Sequence, residues 1–297
     1  MRILSLLPSA TEIVYALGLE DDLVGVTHEC DWPPPARSKR AVTSSSLPEA
    51  SEPQEVDRLV AASVVSGDPI YGLDTAAVRE LRPDVVLSQD LCAVCAVPSG
   101  YVNDALEVLG CQAEVVSLDP GSIDEVLGCV LRIGEVTGTS ARAEALVGDL
   151  RNRLGAVEDA VRSADRPRTF ALEWSDPPFN AGHWVPQMIE TAGGEPVLGS
   201  PGEPSKRVTW DEIALSAPEI VVFMPCGYDL RASAAEATTR LTPKEELAGV
   251  RALFAVDASS YFSRPGPRIV DGVEILAHAL HPTAVPDCPL GTLQRIR

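Results

Sequence analysis

Four short stretches of the chain gather side chains able to do chemistry. The first is Thr27-His28-Glu29-Cys30-Asp31-Trp32-Pro33-Pro34. It sets an imidazole, two carboxylates and a thiol side by side, and prolines fix its exit. A loop of this kind displays its side chains, so His28, Glu29 and Trp32 are candidates for ligand contact, and His28 and Cys30 for a metal. The plainer alternative is a closed turn in which Asp31 caps backbone and Cys30 packs inside. The second stretch is Gln89-Asp90-Leu91-Cys92-Ala93-Val94-Cys95. Asp90 is a candidate ligand contact. Cys92 and Cys95 are spaced to reach one metal ion or to form a redox disulfide. No second C-x-x-C exists, so a Zn or Fe centre needs His28 and Cys30 to join Cys92 and Cys95. The alternative is two small buried thiols at the start of a helix.

The third stretch runs Trp174-Ser-Asp-Pro-Pro-Phe179-Asn180-Ala-Gly182-His183-Trp184. Aromatic rings on a loop offer flat, rigid surface to a large planar ligand. Trp174, Phe179, His183 and Trp184, with Trp210, are read as ligand contacts; the alternative is that Phe179 and Trp184 plug the edge of a lobe. The fourth is Ser260-Tyr261-Phe262-Ser263-Arg264-Pro265-Gly266-Pro267-Arg268, where Arg264 at a loop tip can hold an anion or a carbonyl oxygen, or an ion pair between lobes. His278 and His281 stand at the end of a helix, where the dipole favours them, and are read as structural. The chain has no P-loop, no G-x-G-x-x-G, no G-x-S-x-G and no H-E-x-x-H.

The elements that must position these residues follow an α/β pattern. Ile3–Leu7 reads as a strand ended by Pro8. Ser9 and Glu12 have the spacing of a capping box at a helix start, and Gly18 closes that helix. The loop after the strand puts Pro8 and Ser9 where such folds bind ligands. Asp74–Leu81 reads as a helix, Arg82-Pro83 as a turn and Asp84–Ser88 as a strand. Asp211–Ser216, Ala217-Pro218 and Glu219–Phe223 repeat that order. Strands alternating with helices imply parallel sheets. The expected architecture is two Rossmann-like lobes, residues 1–121 and 165–297. A long helix over 122–164, kinked at Gly138-Thr139, joins them. A short helix is expected from Glu52 to Ala62.

The chain has 297 residues and a formal net charge of −19. That argues against nucleic acid and anionic membrane surfaces as partners, since both need clustered Lys and Arg. No apolar run approaches the roughly 20 residues of a membrane span. Seven cysteines, odd in number and scattered, fit reduced thiols better than a disulfide framework. No leader precedes the first strand, so a cytoplasmic protein is expected, or an extracytoplasmic one if a leader has been removed.

Several segments together resemble the substrate-binding proteins of vitamin B12 and iron-siderophore ABC importers. They are Ile3-Leu-Ser-Leu-Leu-Pro-Ser-Ala-Thr-Glu12, Val24-Gly-Val26 with Asp31-Trp-Pro-Pro34, and Leu81-Arg-Pro-Asp-Val-Val86. Leu172-Glu-Trp174, Val208-Thr-Trp210 and Tyr261 to Ile269 belong with them. The resemblance runs from about residue 2 to 282 and is closest to the cobalamin-binding branch. It implies two Rossmann-like lobes joined by a long helix, with a cobalamin or other corrinoid, or another small metal chelate, held between them and no enzymatic activity. It puts Trp210 and Arg264 at the cleft, Pro8 and Ser9 on its first wall, and Phe179, Trp184, Tyr261 and Phe262 on its second. Where cobalamin binders of this kind carry aromatic plates on the first lobe, this chain has Glu29, Ser45 and Gln89. Where they dock on an ABC permease through a glutamate on each lobe, it has Ala76 and Asp211. Two other readings stand beside this one: a thiolate-metal or redox protein built on His28, Cys30, Cys92 and Cys95, and a ferric-siderophore or haem binder.

Overall fold

A computed structural model describes residues 1–45, 52–66, 71–90, 100, 102 and 112–297. Cys92 and Cys95 lie outside the described residues. The chain divides into two compact units. One comprises Met1–Pro120 and Leu127–Val147, the other Gly121–Val126 and Gly148–Arg297. Among the described residues, no helix is long and apolar enough to cross a membrane.

The first unit holds β1 (Ile3–Ser5), α1 (Pro8–Ala16), β2 (Leu23–Gly25), β3 (Thr43–Ser45), α2 (Pro53–Ser66), β4 (Tyr71–Leu73), α3 (Thr75–Leu81), β5 (Val85–Ser88) and β6 (Glu114–Ser117). Four strands form a parallel sheet in the order β2-β1-β5-β6. A separate antiparallel pair joins β3 to β4. Leu4, Leu6, Val42, Val78 and Val86 pack in its core. Both faces of β1 are buried, which explains why its sequence is a near-continuous apolar run rather than an alternation.

The expected capping box at Ser9 and Glu12 is not formed. The helix begins earlier, at Pro8, with Leu7 as an N-cap that makes no side-chain cap bond. Proline suits the first helical turn because its missing N–H would be unsatisfied there anyway. Ser9 and Glu12 therefore fall inside the helix, and both are buried. A complete capping box forms instead between Thr209 and Glu212.

The segment expected as one long helix over 122–164 is two helices, α4 (Ile123–Val136) and α5 (Ser140–Val161). Gly138 breaks them with a left-handed φ of 71°, a conformation that glycine adopts without a steric penalty. After it the chain packs closely: a Cβ on Gly134 would lie 2.4 Å from the Ala143 Cβ.

The second unit continues with β7 (Arg168–Ser175), β8 (Pro178–Asn180), α6 (Val185–Thr191), β9 (Glu195–Pro196), α7 (Trp210–Leu215), β10 (Ile220–Phe223), α8 (Leu230–Glu236), β11 (Ala252–Val256), α9 (Ala258–Tyr261), α10 (Ile269–Leu280) and β12 (Leu293–Arg295). The sheet order is β12-β11-β10-β7-β8, with β9 also paired to β7. β7, β9, β10 and β11 run parallel, and β8 and β12 antiparallel. Phe170, Leu172, Ile213, Val221, Phe223 and Leu253 centre its core.

The expected repeat has a physical counterpart. α3 ends on Arg82 at φ 42° before Pro83, and the turn after α7 ends on Ala217 at φ 44° before Pro218. Proline disfavours a helical conformation in the residue before it. Both units use that to stop a helix and launch a buried strand, β5 in one and β10 in the other.

α10 leans on α9 with no room to spare. A Cβ on Gly272 would lie 2.5 Å from the Tyr261 carbonyl oxygen and 2.6 Å from the Met188 Cε. Gly272→Ala should therefore cost about 2 kcal/mol of stability, as overpacking against backbone does. Urea unfolding measures this; an unchanged midpoint would contradict the packing.

Candidate functional site

In the first unit the chain leaves β1 toward β2 and leaves β5 toward β6, on opposite sides. The carboxyl ends of β1 and β5 are thus a topological switch point, where open α/β sheets bind ligands. Beneath it lies a buried hydroxyl chain. Ser5 Oγ donates to the Leu7 carbonyl at 2.9 Å, and Thr11 Oγ1 donates to Ser5 Oγ at 2.9 Å. Cys30 Sγ sits 3.0 Å from Thr11 Oγ1 and 3.2 Å from Thr27 Oγ1. The single Thr11 proton is already given to Ser5, so the Cys30 thiol donates to Thr11. A thiol that donates is protonated, whereas a metal binds the thiolate. Cys30, 4% exposed, in this way pins the loop after β2 onto α1. Among the described residues no group of three or more His, Cys, Asp and Glu is arranged to hold a metal ion.

The neighbouring side chains face outward. The His28 N–H donates to Thr43 Oγ1 at 3.1 Å, and its Nδ1 lies 2.8 Å from the same oxygen. This leaves Nε2 as the outward nitrogen. The His28 and Tyr71 rings are 5.4 Å apart, and the Tyr71 hydroxyl donates to Glu29 Oε1 at 2.9 Å. Trp32 is 45% exposed. At the ends of β5 and β6, the Ser117 hydroxyl is shared between Asp90 Oδ2 at 3.0 Å and Asp119 Oδ2 at 2.6 Å. Pro8 and Ser9 are buried in the first turn of α1, so their expected side-chain contact with ligand gives way to packing.

In the second unit the switch point lies between β7 and β10. Their parallel pairing ends at Leu172 and Phe223, but β7 runs on through Trp174 and Ser175. Trp174 stands opposite Phe179 in the antiparallel pairing with β8, and Phe179 stands opposite Arg207 in an isolated bridge. Directly opposed residues share one face of a sheet. The Arg207 guanidinium lies 5.6 Å from the Phe179 ring centre. The Trp174 ring meets Tyr228 edge-on at 5.8 Å. The Tyr228 carbonyl accepts the Ser259 N–H at 3.0 Å, which ties it to α9 and hence to Tyr261, where Arg268 lies 5.6 Å from the ring centre. Two groups result, Arg207-Phe179-Trp174-Tyr228 and Tyr261-Arg268, and their four rings are partly exposed. Arg264 belongs to the same final turn, its carbonyl accepting the Gly266 N–H at 2.8 Å.

Two expected aromatic contacts are buried, and a third is partly buried. Trp184 is 6% exposed and Phe262 2%; the Trp184 indole N–H donates to the Phe262 carbonyl at 2.8 Å, so both serve the core. Trp210 packs against the core cluster and carries the Lys244 ammonium 4.4 Å from its ring centre. His183 is held in a left-handed turn at φ 52°. Its N–H donates to the Glu203 carbonyl at 2.6 Å, and its own carbonyl accepts the Gly202 N–H at 3.0 Å. Gly182 makes that clamp possible, because a Cβ there would lie 2.3 Å from the Ser205 nitrogen. Non-glycine residues in this region persist only where their surroundings enforce it, often at functional sites.

Sequence reasoning passed over Tyr71, Arg207, Tyr228 and Arg268. Tyr228 carried a signal, since it follows a strand end in the second half of the repeat. Arg207 carried none: its position comes from a bridge between distant segments.

Two units of this kind, each a mainly parallel α/β sheet with side chains gathered at its carboxyl edge, define a ligand-binding protein of the two-lobed α/β class. The chain belongs to the periplasmic binding protein family, which it matches over residues 3–254. Among similar proteins, a cobalamin-binding protein of Halobacterium salinarum is 26% identical over 290 residues, 96% of this chain and 70% of that protein. A vitamin B12-binding protein of Photorhabdus laumondii is 22% identical over 95% of this chain and 88% of its own. Two solved structures share the fold. The periplasmic vitamin B12 binding protein of Vibrio cholerae has a TM-score of 0.68 at 22% identity, over 94% of this chain and 96% of that one. A periplasmic heme binding protein from Pseudomonas aeruginosa has a TM-score of 0.70 at 23% identity, over 99% and 97%.

Burial disfavours the charged imidazole of His183 and holds its pKa below the ordinary 6.5. An unfolded chain regains that ordinary value, so the unfolded state binds the proton more readily. Stability is thus unaffected by His183 above pH 6.5 and falls as pH drops from there through the lowered folded value. NMR titration of the His183 ring should give a midpoint below 6.5; a midpoint at or above it would contradict the burial.

Proposed function

We propose that this protein binds a corrinoid, a flat metal chelate, and carries it without transforming it. The observation that carries the reading is the partly exposed rings that follow the carboxyl ends of strands in the second sheet. Phe179, Trp174, Tyr228 and Tyr261 offer stacking and edge contacts to a planar macrocycle, at the place where α/β sheets bind ligands. Relatives named for cobalamin or vitamin B12 favour a corrin over other flat ligands. Glu29, Trp32, Asp90 and Arg264 are proposed as polar and edge contacts. A nitrogen donor to the chelated metal comes from His28, whose Nδ1 is occupied by Thr43, or from the neutral imidazole of His183.

Neither Zn nor Fe is needed as a resident cofactor in this reading. The membrane partner would be an importer permease, engaged without a glutamate at the exposed positions of Ala76 and Asp211. Service to an importer requires an extracytoplasmic location, whereas the scattered cysteines favour a reducing, cytoplasmic one; cell fractionation decides between them.

Titration with cyanocobalamin and with dicyanocobinamide, followed by calorimetry and by the corrin absorbance bands, should give saturable binding at micromolar concentration. Trp174→Ala and Tyr228→Ala should each weaken it by about tenfold, the loss expected from removing a buried aromatic contact of roughly 1.4 kcal/mol. Absence of heat and of spectral change contradicts the proposal. Saturable binding of haem in place of either corrin would move the reading to a haem carrier.

A further inference from the structure

β7 outruns its main partner. Its ladder with β10 ends at Leu172. Among the described strands, Trp174 and Ser175 pair onward only with β8. A two-stranded ribbon is marginally stable by itself, yet this one carries a ring of the candidate site. Its end needs a hold from outside the sheet.

That hold comes from α8 and the turn after it. The Ser175 hydroxyl is buried and donates to the Glu236 carboxylate. One residue on, Asp176 faces the Arg240 guanidinium at 3.9 Å. A hydroxyl bonded to a carboxylate is charge-assisted and roughly twice as strong as a neutral hydrogen bond. The ion pair is partly exposed and adds less. Successive side chains of a strand point to opposite faces, so Glu236 grips the face away from the Trp174 ring.

The helix departs from α geometry between these two contacts. Ala237–Leu241 forms a π-helical turn, closed by the Thr242 N–H on the Ala237 carbonyl at 3.1 Å. Glu236 stands immediately before this turn and Arg240 within it. The Thr238 and Thr239 hydroxyls donate back to the Ala234 and Ala235 carbonyls at 2.7 and 3.0 Å. Single π turns are rare and frequently lie at functional sites. Here the widened turn carries both side chains that meet the end of one strand.

We propose that Glu236 is a positioning residue for the ligand: by holding Ser175 it fixes the overhanging end of β7, and with it the Trp174 ring. The inference rests on the reading of Trp174 as a ligand contact and deepens it. Glu236 acts through Trp174 and not by touching the ligand.

Affinities for cyanocobalamin and dicyanocobinamide are measured by calorimetry on the full chain, on Glu236→Ala, on Trp174→Ala and on the double variant. Glu236→Ala should weaken binding about fivefold, within the range of coupling between residues of one hydrogen-bond network. In the Trp174→Ala background it should have no further effect. Glu236→Gln keeps an acceptor for the Ser175 hydroxyl and should retain most of the affinity. The same loss in both backgrounds would mark a general folding role and overturns the inference, as does unchanged affinity in Glu236→Ala. A second readout needs no ligand. In protein labelled with 5-fluorotryptophan, the Trp174 fluorine resonance, assigned by its absence from Trp174→Phe, should shift or broaden in Glu236→Ala while that of Trp184 stays in place. An unmoved Trp174 resonance overturns the inference. If Glu236→Ala does not fold, Ser175→Ala removes the same hydrogen bond and is read in the same way. If neither corrin binds the full chain, the corrinoid reading falls and the fluorine spectrum alone decides whether Glu236 positions Trp174.

Discussion

The pairing of β7 with β10 is the constraint on which the candidate site depends. Four residue pairs, from Thr169–Ile220 to Leu172–Phe223, lock the two strands in parallel register. Both are buried runs of apolar side chains, so a slip of register would expose part of the core formed by Phe170, Leu172, Val221 and Phe223. Because β10 stops at Phe223 and β7 does not, the chain is obliged to carry Trp174 past the end of the ladder. On the other edge of β7, the pairing with β8 sets Phe179 opposite Trp174 and a bridge sets Arg207 opposite Phe179. The site thus extends outward from a strand anchored by hydrophobic burial.

The first unit meets the same requirement by polar means. Its loop after β2 is held from below by the Cys30–Thr11–Ser5–Leu7 chain of hydrogen bonds. Every hydroxyl in that chain has a direction imposed by its neighbour. Buried polar groups of this sort are tolerated only when paired, and His28 and Glu29, the two residues before the anchor, are exposed.

Much of the fold was legible before any coordinates. Strands at Ile3, Val85 and Ile220 announce themselves as short apolar runs between turn residues, and the X-Pro steps at Arg82 and Ala217 mark real stops. The α/β class and the two-unit repeat followed from that punctuation. The start of α1 was misplaced because two local signals competed, a Ser9/Glu12 spacing and a proline one residue earlier, and the proline prevailed through its preorganised φ. The break at Gly138 was visible as a kink, but its left-handed geometry, which separates α4 from α5, was not. The site was less legible than the fold. Trp184 and Phe262 have the composition of ligand contacts, yet their destination depends on which face of a turn is buried, and that is a tertiary fact. Arg207 reaches Phe179 only through a bridge between segments far apart in the turn pattern, so no spacing rule could pair them.

The central claim is that a flat metal chelate lies against the partly exposed rings of the second unit. A crystal structure grown with a saturating corrin tests it most directly. The account predicts the macrocycle in contact with Trp174, Tyr228 and Tyr261. A corrin bound elsewhere, with those rings left uncovered, would contradict it.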